Sequence, residues 1–401
     1  MSLLTIHYGQ CGNQIGDVLF STVFEDLKRQ PYHYNSYNKW FNICPNGKLE
    51  ARSILIDTET KVVDSRKRTQ YDFKNIITGH GGSANNWAFG YNFQSKMMIN
   101  SILEKVRVEI EKSDYSVRFL NILSSSGGTG SGVGSKVIEK LRSAHPNKTI
   151  MNVIVLPYMN GELVTQHYNS VLSLAKLHGV SDMSIIFEND LVHDLCPTKI
   201  RENINFLDMN KVIALQLAST FQPITAINNA VFLSRLSSHP VFKYVHLRTS
   251  SSDSEYSNQP WKNVSNSLMK GLTKWKTYAN SLNMKKKTII VAAITRGTNE
   301  PRSDELDTLQ SNRNFVSWIP ANEHFIHNHE TRRFCGSDKT LTVISNDNSV
   351  CYSLNSILED AWRLFSKKAY LHHYEKHGVD KNEFLGAFQM MENILASYIH
   401  M

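Results

Sequence analysis

The sequence has no long apolar run. Nowhere do its 401 residues approach the ~20 consecutive apolar residues of a membrane-spanning helix, so membrane insertion is not expected. It is poor in cysteine: Cys11, Cys44, Cys196, Cys335 and Cys351 are widely spaced and form no CxxC pair. That argues against a zinc site or disulfide framework and for a reduced, cytosolic chain. Residues 1–10 lack a basic region followed by an apolar stretch, so no secretory signal is expected. There is no internal repeat and no low-complexity tract. Acidic charge is in deficit, with a net charge of +8. Such a balance suits nucleic acid, a membrane surface or an acidic protein partner. The basic residues are scattered, however, apart from short runs such as 285–287, which read as a solvated face or as a contact for an anionic partner.

What is present is ordinary for a globular protein: 41% hydrophobic and 20% charged residues, long enough for two or three packed units. The first half alternates strand-like and helical patterns. Residues 3–8, 53–56, 117–123, 150–156 and 184–187 read as strands, and 14–28 carries Ile15, Val18, Leu19, Val23 and Leu27 at helical spacing. This alternation predicts a parallel α/β sheet with ligand loops at the carboxyl ends of its strands. Residues 210–217 continue as a helix. Beyond residue 240 the pattern changes, and 242–247 and 288–294 predict strands of a smaller second unit. Polar stretches 250–259 and 299–313 read as exposed loops. The end is helical. Gly378 breaks it, and Asp380 with Glu383 predicts a capping box. Phe384, Phe388, Met391, Leu395 and Tyr398 then share one face, a stripe expected to pack in the core.

Three glycine-rich turns carry the chemistry. Gly127-Gly128-Thr129-Gly130-Ser131-Gly132 follows a strand and precedes a helical pattern over 136–142. Glycines let backbone approach an anion, a helix N-terminus offers free N–H groups, and the hydroxyls add donors. No Lys-Ser/Thr follows and the glycine spacing is not that of a dinucleotide fingerprint, so the run matches neither the P-loop nor that fingerprint, which leaves a dinucleotide oxidoreductase a distant alternative. Gly9-Gln10-Cys11-Gly12-Asn13-Gln14 lies between the first strand and first helix, and residues 81–87 form a third polar turn. Asp57 and Glu59 follow the second strand. They read as exposed turn acids or as carboxylates that hold Mg²⁺ through water.

Together these turns, with Ile15-Gly16 and Asn85-Asn86-Trp87-Ala88, resemble the nucleotide loops of the tubulin superfamily, in order and separation. Residues 157–174, 188–196, 221–223 and 361–398 look most like the delta type. The resemblance spans nearly the whole chain. It implies a tubulin-like α/β fold: a parallel-sheet GTP-binding domain over 1–209, a connecting helix with a smaller α/β domain over 210–350, and C-terminal helices over 351–401. It implies GTP or GDP with Mg²⁺. Gln10 and Cys11 would contact the phosphates and base side, Gln14 would be a further nucleotide-binding residue, and Ser124, Gly127, Gly128, Thr129 and Gly130 would cradle the phosphates. Asn85 would reach the phosphate end, with Glu59 and Asp57 near the metal. Asn189 and Asn210 would read the guanine edge, as an amide can through its donor and acceptor. Phe206 would stack on the base. Gln166 would meet the ribose, where relatives carry Glu, and Glu162 would supply a nearby acid.

Departures from the family qualify the expected activity. Ser126 replaces the first glycine of the run and fits if its φ is negative. In polymerising relatives a loop and helix bring an acid to the neighbour's nucleotide to activate water. The matching segment, residues 221–239, contains no Asp or Glu and is several residues shorter. Hydrolysis on a neighbour through that acid is therefore not expected, which leaves any GTPase activity weak or dependent on a partner. The sequence ends at 396–401 without the acidic tail of ordinary tubulins, so that electrostatic handle is expected to be missing. The resemblance implies other tubulins as partners (alpha/beta, with epsilon a further candidate), not nucleic acid. It places the protein in the cytoplasm, on the cytoskeleton at centrioles or basal bodies. An assembly-stimulated GTPase and a non-polymerising tubulin-binding module stay open as alternatives.

Overall fold

The computed structural model describes residues 2–29, 37–60, 71–161, 163–196, 204–224, 234–252, 260–270, 284–311 and 313–401. The chain forms two compact units. The first comprises Met1–Asp17, His33–Asp190 and Ser353–Asn393, and the second Val18–Tyr32, Leu191–Tyr352 and Ile394–Met401.

The first unit is built on strands β1 (Ser2–Tyr8), β4 (Ser53–Asp57), β5 (Ile76–Thr78), β6 (Val117–Ser124), β7 (Ile150–Leu156) and β8 (Met183–Glu188). A separate two-stranded ribbon joins β2 (Phe41–Ile43) to β3 (Leu49–Ala51). The main strands pair in parallel in the order β5-β4-β1-β6-β7-β8. Every residue of β1, β4 and β7 is buried. That is why their apolar residues fall on both faces rather than on alternate positions only. The chain leaves β1 towards β4 and β5, then returns to β6 on the other side of β1, so the connections diverge between β1 and β6. That divergence opens a crevice at the strands' carboxyl ends, the place where α/β sheets bind ligands. Both leading glycine turns follow these two strands.

The helices begin earlier than periodicity predicts. α1 spans Gly9–Arg29, so the first glycine turn is itself the helix's first turn. The second glycine run is likewise helical: Thr129–Val133 forms one wide turn that continues into α3 (Gly134–Ala144). A similar wide turn, Gly90–Gln94, leads into α2 (Ser95–Glu111). α4 (Gln166–Val180) follows β7, and α5 (Asn189–Leu195) follows β8.

The second unit carries α6 (Phe206–Phe221) and a mixed sheet of β9 (Tyr244–Ser252), β10 (Thr288–Gly297), β11 (Phe325–Glu330) and β12 (Lys339–Asp347). β12 lies antiparallel to both β9 and β10, and β10 pairs in parallel with β11. Its core packs Trp261, Val264 and Leu268 of α7 (Trp261–Lys270) against Val291, Leu341 and Val343. The stretch expected to be an exposed loop from 299 holds a short helical turn and α8 (Asp307–Ser311), whose Leu309 is buried in this core. Polar composition concealed two apolar anchors, Leu306 and Leu309.

Three helices close the chain: α9 (Cys351–Ser366), α10 (Leu371–Glu375) and α11 (Lys381–His400). The capping box is present, with the Glu383 N–H donating to Asp380 at 2.9 Å and the Asp380 N–H to Glu383 at 3.1 Å. Phe384, Phe388, Met391, Leu395 and Tyr398 are all buried, each side chain contributing roughly 1.5–3 kcal/mol of apolar transfer. Phe388 stacks on Trp362 with centroids 4.2 Å apart.

Candidate functional site

The turn after β1 is shaped by Gly9, whose φ of +67° is left-handed. An added Cβ there would lie 3.0 Å from the Gly130 amide nitrogen. The two glycine turns thus meet backbone to backbone, an approach only glycine permits. Asn13, fully buried, fastens this turn by donating to the carbonyls of Gly9 at 2.9 Å and Ile56 at 3.0 Å. Gln10 is exposed on the first turn of α1, beside half-buried Cys11 and Gln14. Burial pushes the Cys11 thiol up to about 12, so it stays protonated and adds no negative charge near an anion.

The turn after β6 begins at Ser124. Its hydroxyl lies 2.9 Å from that of Ser126 and accepts the Ser126 N–H at 3.3 Å. Ser126 is accommodated because its φ is not positive. An added Cβ on Gly128 would fall 2.6 Å from the Ser83 carbonyl and 2.8 Å from the Asn86 nitrogen, so this loop lies against the third turn. On Gly127 the nearest atom would be Asn85 Oδ1 at 4.0 Å, which marks the open side of the cradle. The Ser131 hydroxyl donates to the Gly127 carbonyl. Thr129 joins a triangle of hydroxyls, 2.6 Å from Thr58 and 3.0 Å from Ser83, with Thr58 and Ser83 3.1 Å apart.

The third turn is strained. Ala84 and Asn85 have φ of 49° and 48°, a left-handed pair that costs about 1–2 kcal/mol per residue outside glycine. Such strain persists where surrounding bonds over-determine it, and here one side chain does most of that. Asn169, fully buried on α4, donates to the carbonyls of Asn85 at 2.8 Å and Ser126 at 2.7 Å. It also accepts the Trp87 N–H at 2.9 Å. Asn85 itself is exposed beside the cradle.

Asp57 is buried, and its Oδ1 accepts the Glu59 N–H at 3.1 Å. Glu59 is exposed, with Oε1 3.1 Å from where a Gly82 Cβ would stand. Asp57 therefore builds the turn and Glu59 presents the free face. Gln166 is buried at the start of α4 and donates to the Tyr158 carbonyl at 3.1 Å, so its amide shapes the loop from Tyr158 to Gly161. Glu162 lies outside the described residues. Asn189 opens α5 and is half-buried. Phe206 and Asn210 belong to the second unit. There Phe206 starts α6 at 65% exposure while Asn210 is buried, and Asn205 and Asp208 cap the helix reciprocally. In the acid-free segment, residues 225–233 lie outside the described residues. At its described end, exposed Arg235 faces Glu323 at 3.7 Å.

Residues 9–13, 84–86 and 124–131 include no carboxylate. They offer backbone N–H groups, amides and hydroxyls around an opening at a helix N-terminus, a donor set suited to a polyphosphate. Among the described residues no three His, Cys, Asp or Glu cluster as a chelating group. Mg²⁺ bound through phosphate oxygens, waters and one carboxylate would need no such group, and Glu59 is an exposed carboxylate beside the third turn. Sequence reasoning missed Thr58, Ser83 and Asn169. Thr58 and Ser83 sit inside turns whose neighbours had drawn notice, whereas Asn169 lies mid-helix with no local signal.

Residues 2–197 match the Tubulin/FtsZ family, GTPase domain. Along its full length the chain is 31% identical to the tubulin delta chain of Canis lupus familiaris, with 100% of both chains covered. The chain belongs to the tubulin family. It is 30% identical to the tubulin delta chain of Homo sapiens, again with 100% of both covered. Similarity to a beta chain is lower: 26% to that of Encephalitozoon intestinalis, over 99% of this chain and 95% of the other. Family membership implies a guanine nucleotide and a cytoskeletal subunit. The delta-like character agrees with the resemblance carried by residues 157–174 and 361–398.

Proposed function

We propose that this tubulin is a delta-type subunit that holds GTP with Mg²⁺ as a structural ligand, turns it over little, and serves centrioles or basal bodies in forming or stabilising triplet microtubules. The observation that carries the reading is a pairing of opposites. Three turns meet around one opening, at Gly9, Gly128 and the Thr58–Ser83–Thr129 hydroxyls, which supports a phosphate cradle. The segment that matches the catalytic one, residues 221–239, has no acid to offer a neighbour. Gln10, the backbone of Gly127–Gly130, Thr129 and Asn85 would hold the phosphates. Asn189, Phe206 and Asn210 would take the guanine, Gln166 the ribose side, and Glu59 a metal-bound water. Bound nucleotide then stabilises whichever conformation binds it better. With a net charge of +8, alpha/beta-tubulin surfaces of acidic character, or an epsilon chain, are the partners that electrostatics favours.

The test is the identity and fate of the nucleotide. The purified chain is loaded with GTP over a range of protein concentrations, and the bound nucleotide is resolved by chromatography. GTP that persists at every concentration is the expected result. Conversion to GDP that rises with protein concentration would establish an assembly-stimulated GTPase instead. Co-sedimentation with alpha/beta microtubules should weaken with added salt, and insensitivity to salt would remove the electrostatic part of the reading.

A further inference from the structure

Asn169 reaches the nucleotide loops only through their backbone, yet all of its hydrogen-bonding capacity is used. Its orientation is dictated by its partners. Nδ2 faces two carbonyls, which can only accept, and Oδ1 faces the Trp87 N–H, which can only donate. The fourth bond comes from the C-terminal region: the Tyr374 hydroxyl donates to Asn169 Oδ1 at 2.7 Å. Tyr374, buried on α10, packs edge-on against Tyr168 at 5.5 Å and Phe384 at 5.2 Å. Two further amides fasten the same stretch. Asn86 donates to the His373 carbonyl at 3.3 Å, and Asn92 to the His377 carbonyl at 2.9 Å. The stretch ends at Gly378 with the paired bonds of a Schellman turn, Gly378 N–H to Glu375 and Val379 N–H to Tyr374.

We propose that α10 and the residues through Gly378 form a nucleotide-responsive element, coupled to the phosphate loops through Asn169, a positioning residue, and Tyr374. The proposal rests on the nucleotide reading of the cradle. Asn85 and Ser126 form the wall that an anion orders, and both carbonyls hang on the amide that Tyr374 holds from the other side. Ordering the wall therefore orders Tyr374, and by reciprocity whatever holds α10 tightens nucleotide binding. The strained pair Ala84–Asn85 gives the loop a relaxed alternative when the cradle is empty. The outward side chains of α10, His372, His373 and Glu375, are exposed, so its order is presented at the surface where another subunit can read it.

The experiment compares the full-length protein with Tyr374→Phe, which removes one hydroxyl and no ring volume. Two readouts are GTP affinity by equilibrium titration and amide hydrogen exchange over 371–379 with and without GTP. In the wild type, GTP should slow exchange across that stretch. In Tyr374→Phe, GTP should bind about 5-fold more weakly, the scale of one buried hydrogen bond, and the GTP-dependent protection should shrink. Asn86→Ala, which removes the His373 tether from another side, should shrink it as well. A purely structural tyrosine would lower thermal stability alone. Unchanged affinity with unchanged protection in both variants would therefore overturn the coupling while leaving the nucleotide reading intact. Failure of the wild type to bind any guanine nucleotide would overturn the reading of the cradle, and the coupling with it.

Discussion

The cradle of the first unit and the interior of the second treat polarity differently. Around the cradle of the first, neutral groups satisfy one another: hydroxyls meet hydroxyls, and amides hold carbonyls. In the second, charge is buried and paired. Arg332 meets Asp26 at 2.8 Å, Arg313 meets Asp347 at 3.4 Å, and fully buried Arg296 donates to the carbonyls of Ser219, Gln222 and Pro223 where α6 ends. A cation at the C-terminus of a helix meets both its open carbonyls and its dipole. The contrast teaches where external charge can go. A site suited to a polyphosphate keeps neutral donors and open space, while a charge buried in a packed scaffold is neutralised by its neighbours.

The largest test of this contrast is Arg332→Met. It leaves Asp26 buried with neutral donors, Gln222 Nε2 and the Cys335 N–H, both at 2.8 Å. Breaking such a pair should cost about 3–5 kcal/mol in denaturant unfolding, and a loss below about 1 kcal/mol would erase the distinction between the units. Next is pH. Burial depresses His246 from 6.5 to about 4, against the opposing pull of Asp347. Below pH 6.5 the unfolded chain takes up a proton that the folded chain refuses. Stability should thus fall as pH drops from 6.5 towards 4, by on the order of 3 kcal/mol in total. His246→Gln should flatten that part of the stability profile, and an unaltered slope would assign it to other groups.

Gly128→Ala sharpens the other side of the comparison. Its Cβ would press on backbone of the third turn at 2.6–2.8 Å, so GTP affinity should fall about tenfold or more, a displacement worth about 1.4 kcal/mol, with the fold retained by circular dichroism. Normal affinity would show that the loops can part without harm. The smallest effect is expected from Asp380→Ala. Loss of that cap should cost about 1 kcal/mol of stability and leave GTP affinity unchanged, since Asp380 bonds only within its own helix start among the contacts seen.

Much of the first unit was legible because its signals are local. Strands β1, β4, β6, β7 and β8 are short apolar runs, and turns rich in glycine follow two of them. The capping box at Asp380 and the aromatic stripe of α11 were equally readable, since each depends on spacing within one helix. β11 and β12 were not named in advance. The strand FIHNHE mixes polar residues on an edge position, and only pairing with β10 makes it a strand.

The sequence by itself determined the family, the parallel α/β plan and the three glycine-rich turns, because backbone freedom, hydrophobic period and helix starts are written in neighbouring residues. Tertiary structure alone decided how those turns become one site. It set Gly128 against Ser83 and Asn86, closed the Thr58–Ser83–Thr129 triangle, turned Asp57 inward and Glu59 outward, and gave Asn169 its four partners. A buried amide or hydroxyl has no pattern of its own along the chain. Its role is fixed by whichever unpaired groups the fold brings within about 3 Å of it.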